Sequence, residues 1–441
     1  MTPRALAIQV LSRVAATDAF LNVVLDSQLS EHPFPERRDA ALATELCYGS
    51  SRRQMTLDHL LRPLSERPLE RLEDRVLAAL RLGAYQMFYL RIPRRAVVAA
   101  TVEALKEVGL ARATGFVNAV LRKASMMETI PLPPPSEIAE HLAIRESHPA
   151  WLVRRWIRQF GQQRTESMLI ANNQPPPLTL RSNSTRVSRE TLLLRFLAAG
   201  LEARACKYSS QGISLFAAGK PEDLPGFTEG LWQVQDEAGQ CVVQFADFPA
   251  AQRVLDACAA PGGKACHLAE RREVLASDKH RIKLAKLTVE AARLGLGHQI
   301  ETLVHDATSA FPQNVGPFKA VLMDAPCSGL GTLRRHPELR YRLEETALGT
   351  LSALQLKILE GCQQSVQAGG LLVYSVCSID PQESQDVIEM FLRSHPDFTS
   401  EPSAQLPALW NWQGFLRTLP GAEGLDGFFA ARLRRLSNTG S

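Results

Sequence analysis

"RVLDACAAPGGKACHL", residues 253–268, carries a short apolar strand into Asp256, turns through Pro261-Gly262-Gly263 and enters a helical pattern. Residues without bulky side chains in such a turn let a ligand approach the backbone where a helix begins. The strand rhythm recurs in "EVLASD" (273–278), "IETLVHD" (300–306), "KAVLMDAP" (319–326) and "GLLVYSV" (370–376). Between the second and third of these strands, Ile282, Ala285, Val289, Ala292 and Leu296 mark one helical stripe. Strands alternating with helices from about residue 233 predict a mostly parallel sheet covered on both faces, with ligands beyond the carboxyl ends of its strands. Asp256, Asp278 and Asp306 each close a strand. One such aspartate is explained by helix capping; three in register beside a glycine turn favour an adenosine-containing ligand. The nicotinamide fingerprint G-x-G-x-x-G is absent.

Working outward, residues 4 to 126 read as helix throughout, as in "RVLAALRLGAYQMFYL", where Leu77, Leu80, Ala84 and Phe88 share a face. The proline cluster "IPLPPPSE" (130–137) ends that region, because proline lacks an amide donor and forces its neighbours to extend. A small α+β unit follows. It opens with "HPAWLVRRWIRQFG", where Pro149 suits a first helical turn and Gly161 a C-terminal cap. Strand-like "LTLRSN", helical "RETLLLRFLAAG" and strand-like "GISLF" continue it.

The 441 residues are 45% apolar, enough for several cores. No apolar leader and no run of eighteen uncharged apolar residues is present, so a cytoplasmic protein without a membrane span is expected. Eight cysteines lie at 47, 206, 241, 258, 266, 327, 362 and 377 without CxxC spacing, against a zinc site or a disulfide scaffold. Cys362, on a stripe with Leu351, Leu354, Ile358 and Val366, reads as a core thiol. Net charge is +4, and the excess lies in residues 1–130, with 18 Lys and Arg against 14 Asp and Glu, leaving 32 and 32 elsewhere. Arg52, Arg53, Arg122 and Lys123, with the denser patch Arg154, Arg155 and Arg158, are candidate phosphate contacts, although solvated helix faces carry such groups as often.

Two apolar strands end in thiols: "VLMDAPCSGLG" reaches Asp324 and Cys327, and "LLVYSVCSID" reaches Cys377, downstream of Gly369 and Gly370. A thiol at a polar cleft is a candidate nucleophile. Carbon 5 of cytosine is a poor nucleophile, but a thiolate added to carbon 6 makes the ring enamine-like and able to attack a methyl donor. Asp324 would hydrogen-bond or protonate N3 as charge builds there. One thiol attacks and the other completes or releases the adduct.

With "VQDEAGQ" (234–240), "DACAAPGGKACHL", "SD" (277–278), "HDAT", "MDAPCSGLGTLRRHPE" and "YSVCSIDPQES", the chain resembles the S-adenosylmethionine-dependent RNA cytosine-5 methyltransferases. "ELCYGSSRR" and "GFVNAVLRK" resemble a NusB-like RNA-binding domain. Together with "SHPAWLVRRW" and "PPLTLRSN", they point to the Fmu/Sun-type 16S ribosomal-RNA methyltransferases of the RsmB/NOP family. The resemblance implies an N-terminal all-α NusB-like domain (1–140), a small α+β middle domain (141–232) and a C-terminal Rossmann-like class I methyltransferase domain (233–441). It implies that Cys258, Ala259, Ala260, Pro261, Gly262, Gly263 and Lys264 wrap the methionine part of S-adenosyl-L-methionine, that Asp278 binds its ribose, and that Asp306 lies beside its adenine. It further implies that Cys377 is the nucleophile, that Cys327 serves product release, and that Asp324 contacts the target cytosine, by resemblance cytosine 967 of 16S rRNA. The chain departs from the family pattern at Ala265, Val376 and Ser384. The reading is a monomeric cytoplasmic enzyme acting on 16S rRNA, with no membrane and no metal; the rivals are the same chemistry on transfer RNA and a non-catalytic RNA-binding factor.

Overall fold

The computed structural model describes residues 1–216, 219–250, 252–403, 411–421 and 423–437. The chain forms two compact units, Met1–Pro175 with Leu333–Glu345, and Pro176–Thr332 with Thr346–Ser441.

The first unit is helical: α1 (Pro3–Ala16), α2 (Leu21–Glu31), α3 (Arg37–Arg52), α4 (Gln54–Leu61), α5 (Asp74–Tyr89), α6 (Arg94–Glu107), α7 (Thr114–Ser125), α8 (Ile138–Glu146), α9 (Ala150–Phe160) and α10 (Gln162–Ala171). The α1 helix starts where the Thr2 hydroxyl accepts the Ala5 amide and Pro3 occupies the first turn. Helix α5 packs against α1, α3, α6 and α7, with Leu80, Leu82 and Ala84 fully buried. Each such leucine contributes about 1.5–3 kcal/mol by leaving water. Helix α9 follows Pro149 and stops at Gly161, whose φ of 79° only glycine adopts freely. The segment Leu333–Glu345 joins this unit with a single turn, α15 (Leu339–Arg342). There, the buried Arg340 guanidinium donates to the carbonyls of Arg52, Ser147, Asn172 and Leu333 and to Asn173 Oδ1.

The second unit opens with an antiparallel sheet, order β2-β3-β1-β4, made of β1 (Leu178–Ser182), β2 (Glu202–Ala205), β3 (Gly212–Phe216) and β4 (Trp232–Val234). Helix α11 (Arg189–Ala198) covers it through Leu192 and Phe196, which cluster with Leu180, Ile213 and Trp232. A larger sheet follows. Its strands are β5 (Val254–Asp256), β6 (Val274–Asp278), β7 (Ile300–Val304), β8 (Phe318–Asp324), β9 (Val366–Val376), β10 (Phe398–Ser400), β11 (Asn411–Trp412), β12 (Phe415–Arg417) and β13 (Phe429–Arg435). The order is β11-β12-β13-β9-β8-β5-β6-β7, with β10 on β13. From β9 to β7 the pairs are parallel, and β9 to β13 is antiparallel. One face, with Ala320, Leu322 and Val373, packs among α12 (Glu237–Ala246), α13 (Gly263–Ala269) and α14 (Arg281–Leu294); the other, with Val321, Met323 and Leu372, clusters with residues of α16 (Ala347–Gln363) and α17 (Gln385–Ser394). Alternate residues of one strand thus feed two cores, which is why these strands read as unbroken apolar runs.

The structure corrects three details of the sequence reading. The stripe Ile282, Ala285, Val289 and Ala292 faces outward, with Ile282 77% exposed, and α14 packs through Leu284, Leu287, Ala291 and Leu294. The helix carries apolar residues on two faces, so period alone could not choose between them. Gly369 and Gly370 do not bound β9, which begins at Val366; that valine is a strand residue, although Cys362 is buried in the core as read. The antiparallel strands β10 to β13 gave no sequence signal that was recognised.

Candidate active site

Strand order reverses between β5 and β8, and ligand crevices form at such switch points beyond the carboxyl ends of parallel strands. Every proposed chemical group of the second unit emerges at that edge. After β5, the Ala257 amide donates to Leu322 O and the Ala259 amide to Ser277 O, so the turn is sewn to both neighbouring strands. Cys258 and Ala260 are half-buried, Ala259 is buried and Pro261 is exposed. Gly262 has φ 113°, and a Cβ there would lie 2.8 Å from Leu287 Cγ, so the tight approach of this turn to α14 requires glycine. Gly263 begins α13.

Lys264 points from α13 to β8, where its Nζ donates to Asp324 Oδ2 at 2.6 Å; the Ser375 hydroxyl donates to Oδ1, also at 2.6 Å. Burial pulls the Lys264 ammonium down, but the Asp324 carboxylate outweighs it and holds the lysine above its ordinary value. Asp256 is fully buried beside them. Desolvation first, and then the Asp324 charge, push its carboxyl up to about 8. Asp278 closes β6, with Oδ1 accepting the His280 amide at 2.8 Å, and Asp306 follows β7 as an exposed carboxylate. The Thr308 amide and hydroxyl hold Asp306 below the ordinary carboxylate value.

The two thiols meet. Strands β8 and β9 are paired parallel with Asp324 opposite Ser375, and the chain continues a few residues past each to place Cys327 Sγ 3.2 Å from Cys377 Sγ. Both are partly exposed. The hydrogen bond with Cys377, then burial, then the charges of Cys377 and Glu383 push the Cys327 thiol well above its ordinary value. Lys264 ion-pairs with Asp324, and Glu383 accepts from the serine after each cysteine. A lysine in a cofactor loop and an acid at a helix start carry no sequence mark of either contact.

The candidate phosphate contacts all belong to the first unit. Arg122 and Arg158 are exposed, Lys123 is 3.5 Å from Glu66, and Arg154 pairs with Glu140. Arg155 lies 3.5 Å from Glu345, and Arg53 is largely buried against Glu146. Arg52 requires correction: it is 6% exposed, stacks over Tyr48 and donates to Arg334 O, so it offers no phosphate a free face. Among the described residues no cluster of His, Cys, Asp or Glu could hold a metal ion, and no helix is long and apolar enough to cross a membrane.

A glycine turn and strand-end carboxylates on a parallel sheet with an added antiparallel strand define a Rossmann-like methyltransferase domain. Comparison with known proteins carries this further. The model described as 16S rRNA methyltransferase RsmB/F matches residues 245–434, the NusB family matches 1–126, and the ferredoxin-like domain of RsmF/B-like methyltransferases matches 148–220. The chain is 36% identical over 450 residues to the probable ribosomal RNA small subunit methyltransferase B of Synechocystis sp., covering 99% of this chain and all of that one. It is 35% identical to ribosomal RNA small subunit methyltransferase B of Pseudomonas putida, covering 99% of each. The crystal structure of PH0851 superposes with a TM-score of 0.86 at 24% identity, over 98% of this chain and 99% of that one, which supports the fold. The chain belongs to the 16S rRNA methyltransferase RsmB/F family, and its NusB-type helical, ferredoxin-like and methyltransferase parts follow in the expected order.

Proposed function

We propose that the protein transfers a methyl group from S-adenosyl-L-methionine to carbon 5 of one cytosine in 16S rRNA, by resemblance cytosine 967, through a covalent adduct. The observation that carries this reading is the thiol pair, Cys327 and Cys377 Sγ 3.2 Å apart beside the anchored Asp324 carboxylate.

The chain's residues suit the cofactor. A Cβ at Gly263 would meet nothing nearer than Gln235 Cγ at 3.8 Å, so the turn leaves room above α13. Asp278 and Asp306 supply acceptors for ribose hydroxyls and an adenine amino group, and residues 258–264 would hold the methionine part. S-adenosylmethionine, when bound, supplies an electrophilic methyl group and leaves as S-adenosylhomocysteine. Cys377 Sγ, as thiolate, adds to carbon 6, and the 5,6 double-bond electrons shift toward carbon 5 and N3. Asp324, aimed by Lys264 and Ser375, would deliver a proton to N3 as negative charge builds there, because N3 and a carboxylate are both acceptors and need a proton between them. After carbon 5 is methylated, loss of its proton restores the double bond and breaks the bond between Sγ and carbon 6; Cys327 assists this release.

A stacked cytosine hides carbon 6, so the target base must be single-stranded or extruded. Residues 1–140 and 141–232 would hold flanking RNA through Arg53, Arg122, Lys123, Arg154, Arg155 and Arg158, while 233–441 does the chemistry. The enzyme acts as a cytoplasmic monomer in this reading.

The test incubates wild type, Cys377→Ala and Cys327→Ala with 16S rRNA fragments and S-adenosylmethionine, maps 5-methylcytosine and resolves covalent complexes on a denaturing gel. Cys377→Ala should give neither product nor adduct, and Cys327→Ala should accumulate adduct. Methylation by Cys377→Ala but not by Cys327→Ala would reverse the two roles.

A further inference from the structure

Glu383 lies in the 3-10 turn Pro381–Glu383 and is fully buried. Its two carboxylate oxygens accept four hydrogen bonds, all from neutral donors. Oε1 takes the Ser328 amide at 2.8 Å and Gln355 Nε2 at 3.1 Å. Oε2 takes the Ser378 hydroxyl at 2.6 Å and the Ser328 hydroxyl. Ser328 directly follows Cys327 and Ser378 directly follows Cys377. The same Gln355 amide reaches back to Pro326 O at 3.0 Å, and Tyr374 fixes both Gln355 and the Glu383 carbonyl.

A buried charge without a cation is tolerated only when hydrogen bonds satisfy it fully, and removal of the acceptor leaves its donors stranded. Here, the stranded donors would be the residues that set where each thiol stands. The parallel pairing of β8 with β9 ends at Asp324 and Ser375, so beyond it the relative placement of the thiols rests on cross-links between the loops. Those cross-links include the Glu383 carboxylate, a hydrogen bond between the Ser328 and Ser378 hydroxyls at 3.2 Å, the Ala325 amide donating to Ser375 O at 2.8 Å and the Gly331 amide donating to Cys377 O at 3.0 Å.

We propose that Glu383 is a positioning residue that holds Cys327 within reach of Cys377 by gripping the serine after each, so that release of the methylated base depends on it. The proposal rests on the two-thiol reaction proposed above. Glu383 touches neither thiol in this scheme; because Ser328 gives it two bonds and Ser378 one, and Cys377 directly follows β9 while Cys327 lies three residues past β8, its loss should leave Cys377 able to attack while Cys327 drifts from the place where it assists release.

The experiment compares wild type, Cys327→Ala, Glu383→Ala, Glu383→Gln and Ser328→Ala, as full chains, on a 16S rRNA fragment with S-adenosylmethionine. Turnover, covalent adduct and thermal midpoint are read for each. A displacement of reacting groups by an ångström slows chemistry about 100-fold, so Glu383→Ala should lose turnover on that scale and accumulate adduct as Cys327→Ala does. Glutamine keeps an oxygen for the Ser328 amide and an amide for the two hydroxyls, and Glu383→Gln should recover most of that turnover. Ser328→Ala removes one charged hydrogen bond and should lengthen adduct lifetime about tenfold; it decides the matter if Glu383→Ala fails to fold. The proposal is overturned if folded Glu383→Ala turns over at the wild-type rate, if it loses turnover with no adduct, or, where it does not fold, if Ser328→Ala leaves adduct lifetime unchanged. Absence of adduct from Cys327→Ala would instead sink the two-thiol reaction itself.

Discussion

The loops after β8 and β9 share a Cys-Ser step beyond an apolar strand, and both serines bind one carboxylate. Their surroundings differ. Cys327 follows Pro326 in a loop tied down by Glu383 and Gln355, and its thiol is pushed well up by the bond to Cys377, by burial and by nearby negative charge. Cys377 lies on the side of the Lys264 ammonium, whose own value is raised in part by that thiol's charge. The Glu383 anion therefore stands behind both loops, whereas the Lys264 ammonium lies on the Cys377 side. What separates the proposed nucleophile from its helper is therefore the surroundings of each loop, Lys264 and Asp324 on one side and Pro326 and Gln355 on the other, rather than the shared dipeptide.

The strongest break of this comparison is Cys377→Ala. Loss of a nucleophile should lower methyl incorporation about 10⁴-fold or more while Cys327 stays in place, and substantial residual transfer would show that the loops are interchangeable. Next comes Lys264→Met, which removes the cation near Cys377 but not the hydrogen bond from Ser375 to Asp324. Turnover should fall about 100-fold because Asp324 loses the ion pair that aims it, and wild-type turnover would deny the lysine that part.

Gly331→Ala attacks the other loop. A Cβ there would come within 1.8 Å of Gly427 O, so the variant should lose about 1–3 kcal/mol of stability, read from urea midpoints. A full-strength protein with fast product release would mean that the Cys327 loop can shift without consequence.

The smallest effect concerns Asp256, the buried carboxyl pushed up to about 8. Its native value lies above its unfolded one, so the native state keeps a proton that the unfolded chain has shed. Its contribution is fully present below about pH 4, the unfolded value, declines as pH rises toward 8 and levels off beyond. Asp256→Asn removes that slope and should gain about 2–4 °C on wild type between about pH 5.5 and pH 8.5, and equal shifts at both pH values would refute it.

Much of this was legible beforehand. The strand ends Asp256, Asp278 and Asp324 could be placed because a parallel strand buried on both faces is an apolar run that must stop at a polar residue. Gly161 and Pro149 marked their helix because capping chemistry is local. The phase of α14 was not legible: Ile282 and Val289 are as apolar as Leu284 and Leu287, and only packing against the sheet selects the second pair. Arg52 misled for a similar reason, since a guanidinium bound to a backbone carbonyl looks in sequence like one awaiting a phosphate.

The sequence by itself determined the alternation of strands and helices, the glycine turn and the two Cys-Ser steps, because these follow from periodicity and local backbone chemistry. Tertiary structure alone decided that β8 and β9 are neighbours, that Lys264 meets Asp324, and that Glu383 joins the serines behind the two thiols. Those facts join residues 50 or more positions apart, or hang on side-chain burial, and no local rule of the chain encodes which distant partner a buried charge will find.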